Sequence, residues 1–289
     1  YSHTAGNIAA VEAHEPGSVA KVFSVAAAIE DGTVTPQSTF SVPGKQVFNK
    51  GTQWEQEIKD AYPHGLEEMS VRKILVDSSN LGTVQISQTL STERNRQWLA
   101  AFGFGEKTGI DLVNEKTGTL PSVAWKRKRL RAPWYRGEMM SVGIGQGYFT
   151  ATPLQVALAT AIVANNGLKV KPQLLRSSHG PNPVQPEPAA KEHIAFNGQP
   201  EDWDRMHEAM RRVVHGAGTA GGIRRGLVGY DIAGKTGTAQ VKSIKQNEKY
   251  DESRLDPRHW DHAWFMGFAP VMNPKIAVAV LIENGRHGS

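Results

Sequence analysis

The sequence predicts an α/β chain of the α+β kind, with helices mixed around one antiparallel sheet. Three observations carry this. The run SVAKVFSVAAAIE (18–30) and the run LQVALATAIVA (154–164) are apolar nearly all round, as buried helices are. The C-terminal quarter instead alternates in short apolar runs, as half-buried strands do. Its strands are connected without room for crossover helices, which favours an antiparallel meander.

Pro16–Gly17 introduces the first helix and Asp31–Gly32 ends it. Residues 70–90 carry helical periodicity, with Ser70 as the N-cap. Residues 93–102 form the next helix, closed by Gly103. Thr152 and Pro153 suit the N-cap and first turn of the second apolar helix, which stops at Asn165–Asn166–Gly167. A strand is expected at 168–175, and residues 177–191, rich in Pro, Ser and Glu, read as a surface loop. Residues 201–215 are an amphipathic helix. Strands are expected at 228–233, 237–241, 262–269 and 275–283. The long polar segment 242–260 between them reads as an exposed loop or lid.

With 289 residues, 39% of them hydrophobic, the chain can bury a sizeable core in one domain, with a helical lobe over roughly 33–150. It has no cysteine, which excludes disulfides, thiolate metal sites and a cysteine nucleophile. A net charge of +5 is too small to argue for nucleic acid, and no binding motif supports it. No run of 18 apolar residues is present. The chain opens at Tyr1 without a signal-like segment and stops just after an apolar run. It is therefore expected to be a fragment, cut at both ends, of a longer protein anchored elsewhere.

Three short motifs carry chemistry. Ser18-Val-Ala-Lys21 is S-x-x-K, Ser78-Ser-Asn80 is S-x-N and Lys235-Thr-Gly-Thr238 is K-T-G-T. A serine hydroxyl needs a base beside it to act as a nucleophile. Residues i and i+3 share a helix face, so Ser18 is expected near the amine of Lys21. The helix N-terminus offers free N–H groups to a developing oxyanion. Lys21 must be neutral to accept a proton, and both burial and a nearby cationic Lys235 would lower its pKa. The S-x-N hydroxyl can relay protons and its amide can hold a carbonyl. In the third motif, Gly237 allows close backbone approach, while Lys235, Thr236 and Thr238 suit a carboxylate.

Decoys exist. Ser70-Val-Arg-Lys73 is also S-x-x-K, and Lys107–Gly109 and Lys116–Gly118 are also K-T-G. Ser70 lacks a preceding Pro-Gly turn and serves as an N-cap. Lys107 and Lys116 sit in turn-rich stretches, whereas Lys235 has strand character on both sides. The basic run 126–131 reads as a solvated face. His64, His259 and His262 lack metal-ligand spacing, and His262 reads as structural.

On HEPGSVAK (14–21), SSNLG (78–82), GIGQGYFTATPLQ (143–155), AGKTGTAQ (233–240) and DHAWFMGFAP (261–270), the chain resembles a class B penicillin-binding protein. Residues 102–155 are most similar to the elongation-type members. The resemblance covers nearly the whole chain. It implies the transpeptidase and serine β-lactamase-like fold, an antiparallel sheet flanked by helices plus a helical lobe. It implies peptidoglycan D,D-transpeptidase activity on stem peptides ending in D-Ala-D-Ala, β-lactams as covalent inhibitors, and an extracytoplasmic site of action. A membrane glycosyltransferase partner for the full-length protein is also implied. Ser18 would be the nucleophile, Lys21 its base and Ser78 the proton shuttle. Asn80 would bind a substrate amide, and Lys235, Thr236, Gly237 and Thr238 would line the carboxylate site. The N–H groups of Ser18 and Thr238 would form the oxyanion hole.

The chain departs from the pattern at Val19, where the family usually has threonine, and it lacks the strand before the serine helix and the C-terminal helix of the family sheet. Some relatives carry a zinc site. Asp60 and His64 would be its remnants, but Val42 and Leu75 fall at other ligand positions, so no metal and no cofactor are expected. A serine β-lactamase is the alternative enzyme, but no deacylating glutamate is recognisable, and Asn80 stands where class D enzymes want an apolar residue. A non-catalytic β-lactam sensor domain is the alternative outside enzymes.

Overall fold

The computed structural model describes residues 7–52, 55–60, 67–180, 188–194, 198–226, 229–239 and 256–288. Its centre is helix α2, Ala20–Glu30, in which all eleven residues are buried. The chain reaches it through α1 (Ile8–Val11) and a single 3-10 turn, Gly17–Val19. An almost uniformly apolar helix is stable only when surrounded. Here the helix packs on helices of the lobe, and the 3-10 turn that leads into it packs on the main sheet.

The lobe holds α3 (Val71–Val76), α4 (Asn80–Ser87), α5 (Thr92–Ala101), α6 (Val123–Leu130) and α7 (Arg136–Gly143). It also holds two hairpin-like pairs that the periodicity does not announce. β1 (Thr39–Val42) pairs antiparallel with β4 (Glu67–Ser70), and β2 (Lys45–Phe48) with β3 (Gln56–Lys59). These strands are four residues each, too short for an alternation signal. The helix expected over 70–90 is two helices. Ser70 does cap α3, accepting from Lys73 N, but Ser78 adopts φ 56° and breaks the run. Ser79 then caps α4 through Gly82 N. Serines compete for backbone hydrogen bonds, which is why a Ser-Ser pair interrupts a helix whose apolar pattern continues.

Helix α8 (Pro153–Ala164) begins as expected, with Thr152 and Gln155 forming a reciprocal capping box. A short strand, β5 (Leu168–Val170), replaces the longer one expected at 168–175. It pairs with β6 (Lys191–His193), at the end of the segment read as a loop. Helix α9 (Pro200–His215) carries the amphipathic pattern.

The main sheet is β7 (Ala233–Ala239), β8 (His262–Ala269) and β9 (Ile276–Ile282), antiparallel in that order. Helix α9 packs on β7, and α8 packs on β8 and β9. One continuous strand replaces the two expected at 228–233 and 237–241. A Cβ at Gly234 would lie 2.6 Å from the Phe265 ring, so the glycine is what lets the strand run through. Residues 240–241 of the second expected strand and residues 242–255 of the loop expected at 242–260 lie outside the described residues. From Asp256 on it is a capped 3-10 turn, Pro257–His259.

Of the basic run 126–131, residues 127–131 are exposed on α6 and beyond it, but Lys126 is buried. Its ammonium bonds Glu138 and lies 4.3 Å from the Tyr135 ring centre. His262 opens β8, accepts a hydrogen bond from Asn284 N and packs edge-on against His14. His64 lies outside the described residues. No helix among them is long and apolar enough to cross a membrane.

Candidate active site

Ser18 stands on the 3-10 turn that feeds α2, partly exposed at the mouth of the buried helix. Two features fix this turn. Gly17 N donates to Gly145 O at 2.8 Å. Gly17 also has φ 55°, and a Cβ there would lie 2.3 Å from Thr238 O, so only glycine lets the turn press against β7. Gly237 does the same from the strand side. Its Cβ would fall 3.0 Å from both Pro16 O and Val19 Cγ1, so this glycine seats β7 on the serine turn. Val19 is buried in that contact.

Lys21, one turn beyond Ser18, is fully buried. Its Nζ donates to Ser78 O at 2.6 Å, Ser78 Oγ at 3.2 Å and Asn80 Oδ1 at 2.6 Å. Among the described residues it makes no hydrogen bond to Ser18 Oγ. Ser18 sits on the 3-10 turn and Lys21 on α2, and the amine is bonded to S-x-N. Lys235 is equally buried, and its Nζ donates to the same Ser78 Oγ at 2.8 Å and to Thr236 O at 2.9 Å. Ser78 Oγ is the point where two lysines from separate elements converge.

Two buried ammonium groups sharing one hydroxyl are costly to keep charged. Burial pushes Lys21 down to about 7, while the Asp60 carboxylate pulls it up. Lys235 is pushed well below its ordinary value, first by burial and then by the charge of Lys21. Burial thus lowers Lys21 as expected, while the added effect expected of Lys235 runs the other way, from Lys21 onto Lys235.

Asp60 has a role at the site that sequence reasoning did not give it: both its oxygens serve the S-x-N turn. They accept from Ser79 Oγ at 2.7 Å, Asn80 N at 2.6 Å and Leu81 N at 3.0 Å, placing a carboxylate at the start of α4. Asn80 Nδ2 in turn donates to Lys59 O at 2.7 Å, which fixes the amide with Oδ1 toward Lys21. Val42 and Leu75 are buried apolar side chains. One other group, Glu12, His14 and Glu283, brings potential metal-ligand atoms within 4.8 Å of one another, with His14 Nε2 3.8 Å from Glu12 and 3.6 Å from Glu283.

On β7, Thr236 and Thr238 share one face by the strand's period of two. Thr236 Oγ1 lies 2.6 Å from Thr219 Oγ1. Thr219, just after α9, escaped the sequence reading, and only its G-T-A context (218–220) beside small residues could have flagged it. The decoys separate cleanly. Lys107 and Lys116 are exposed and lie in loops, and Ser70 caps α3. Glu15, three residues before Ser18, is pushed up to about 7 by burial, opposed by a hydrogen bond from the Gly147 backbone.

Comparison with known proteins places this arrangement. The family model of the penicillin binding protein transpeptidase domain matches residues 2–289. The peptidoglycan D,D-transpeptidase MrdA of Acinetobacter baumannii is 43% identical over 279 residues, covering 95% of this chain and 40% of that protein. MrdA of Escherichia coli is 33% identical over 281 residues, covering 95% of this chain and 43% of that protein. The chain thus spans about two fifths of the length of these relatives. Among solved structures, Pseudomonas aeruginosa PBP2 in complex with WCK 5153 superposes with a TM-score of 0.82 at 37% identity, over 98% of this chain and 57% of that chain. PBP2 of Helicobacter pylori in its complex with MreC also gives 0.82, at 29% identity, over 97% of this chain and 48% of that one.

Proposed function

We propose, from the premise that this chain belongs to the penicillin-binding protein transpeptidase domain family, that it is the acyl-transferring domain of a peptidoglycan D,D-transpeptidase. The observation that carries this reading is the meeting of Lys21 and Lys235 at Ser78 Oγ, beside the turn bearing Ser18. Neutral Lys21 takes the Ser18 proton as Oγ attacks the carbonyl between the two terminal D-alanines. The tetrahedral oxyanion is held by the N–H groups of Ser18 and Thr238. Ser78, already bonded to Lys21, passes the proton to the departing D-alanine amine, leaving an ester on Ser18. An acceptor amine attacks that ester, and its proton returns by the same route. Lys235, Thr236 and Thr238 receive the substrate carboxylate, Asn80 orients the peptide amide, and Gly237 keeps β7 close to the acyl group. Metal and cofactor are not needed for any of these steps.

The helical lobe over 33–150 and the sheet form one transpeptidase unit of a longer protein. On the family resemblance of its motifs, that protein works at the extracytoplasmic face of the membrane beside a glycosyltransferase; a solved chain 32% identical to this one belongs to a peptidoglycan synthase complex that coordinates polymerization and crosslinking. Intact-mass measurement tests the chemistry. A penicillin adduct of one per chain, slowly released, is expected for wild type and none for Ser18→Ala. An adduct persisting in the alanine variant overturns the assignment, and rapid multiple turnover of penicillin would mark a β-lactamase.

A further inference from the structure

A cavity of about 570 Å³ opens between the β2–β3 pair and helices α6 and α7, away from the three motifs. Tyr135, Tyr148, Lys126, Glu138, Gln56 and Ser141 are among its walls. Two short tethers join it to the active site. Strand β3 runs from Gln56, in the cavity, to Lys59, whose carbonyl holds Asn80 Nδ2 at 2.7 Å; three residues of strand span about 10 Å. On the other side, Tyr148 follows Gly147, whose backbone bonds Glu15, and Gly145 O holds the serine turn.

The chemistry of the walls is selective. The ammonium of Lys126 is consumed by Glu138 and lies over the Tyr135 ring, and the other Glu138 oxygen accepts from Tyr135 N at 2.7 Å. This ion pair is neutralised internally, and Glu55, also in these walls, has its carboxylate engaged by Gly51 N at 2.7 Å. The walls offer aromatic faces, an amide at Gln56 and a hydroxyl at Ser141. Tyr148 is 40% exposed and is backed by Trp125 at 5.4 Å between ring centres, which holds its ring as a platform. An uncharged ligand with flat C–H faces and a rim of hydroxyl and amide groups fits these walls, and an amino-sugar ring has that form. The size suits a small ligand.

We infer that this cleft is a subsite for the N-acetylated amino-sugar backbone that carries the stem peptide. The inference rests on the transpeptidase reading above and deepens it: the enzyme would grip the glycan as well as the peptide.

The test uses the peptide-free N-acetylglucosaminyl-N-acetylmuramyl disaccharide with its lactyl carboxyl blocked as the amide, as the peptide link leaves it uncharged in the glycan, and, separately, the sugar-free stem peptide, with saturation-transfer NMR on wild type and Tyr148→Ala. Second-order penicillin acylation is measured on both proteins. The disaccharide should bind wild type and bind Tyr148→Ala about tenfold more weakly, while acylation stays within about twofold. Tyr148 is exposed, so the variant should fold. Gln56→Ala should weaken the sugar in the same direction. Equal disaccharide binding by wild type and Tyr148→Ala, no binding by wild type up to about 10 mM, or dependence of the peptide rather than the sugar on Tyr148 would each overturn the inference. Failure of Ser18 to acylate would instead strike the transpeptidase reading, so the two failures are distinguishable.

Discussion

The pH dependence of acylation tests the central feature of the site, a buried lysine working as a base. Lys21 is held near 7 because its side chain is sealed from water, and the ammonium form loses more hydration than its three hydrogen bonds restore. Burial disfavours the charged form, so the neutral base accumulates as pH rises through about 7. At pH 7 about half of Lys21 is neutral, and at pH 5 about 1% is. Second-order acylation by penicillin, whose carboxylate stays ionised throughout, should therefore fall about 100-fold from pH 8 to pH 5 and plateau above pH 8. The assay is stopped-flow or quenched intact mass across that range. Asp60→Asn sharpens it. Asparagine still offers an oxygen to the α4 N–H groups, but the charge that raises Lys21 is gone, so the midpoint should move to lower pH. Lys21→Arg, which stays protonated, should cost about 10²–10⁴-fold. A flat profile, or a midpoint above 9, would mean that Lys21 is not the base.

Other expectations follow from single contacts. Lys235→Ala should slow acylation roughly 10- to 150-fold, the equivalent of one charge-assisted bond of about 1.5–3 kcal/mol, whereas the exposed Lys107→Ala and Lys116→Ala should leave it unchanged. Circular dichroism confirms folding, and damage from Lys116→Ala with a silent Lys235→Ala would refute the placement of the site strand. Glu15 is raised to about 7, so the stability associated with its protonated form is fully present below about pH 4.5 and is lost as pH rises through 7. Taken at face value the rise equals roughly 3 kcal/mol, and solvent screening of a partly exposed group reduces this to about 1–2 kcal/mol. Glu15→Gln should accordingly raise Tm at pH 8 and leave it unchanged at pH 4. Glu138→Gln should destabilise by about 3 kcal/mol in urea unfolding, because it strands the buried Lys126 charge.

What was legible in the sequence and what was not divides along a physical line. Helices α2 and α8 were readable because burial on every side leaves an unbroken apolar run, and because Thr152 and Pro153 write the start of α8 locally. The K-T-G-T strand was expected in two pieces; the Phe265 ring that packs on Gly234 from the neighbouring strand, and lets it run as one, is a contact made only across the fold. The same limit applied at the site. Ser18, Lys21, Ser78, Asn80 and Lys235 were picked out by spacing within short motifs; the structure bonds Lys21, Ser78, Asn80 and Lys235 together and sets Ser18 on the turn leading into the helix of Lys21. Asp60 and Thr219 were not, because their roles exist only across the fold. Asp60 acts on a helix that begins 20 residues later, and Thr219 meets Thr236 from another element. A carboxylate alone in a polar stretch carries no mark of the N–H groups it will accept from. Ser78 shows the converse. Its motif was plain, but the helix pattern around it was stronger than the local signal for the turn, so the backbone was read as continuous. The left-handed conformation at Ser78 is what turns its Oγ and its carbonyl toward Lys21 instead of along a helix axis. A non-glycine residue in that region is held there by its surroundings. At Ser78 those surroundings include both lysines and the Asp60-capped start of α4, so the break in the helix and the assembly of the site are one event.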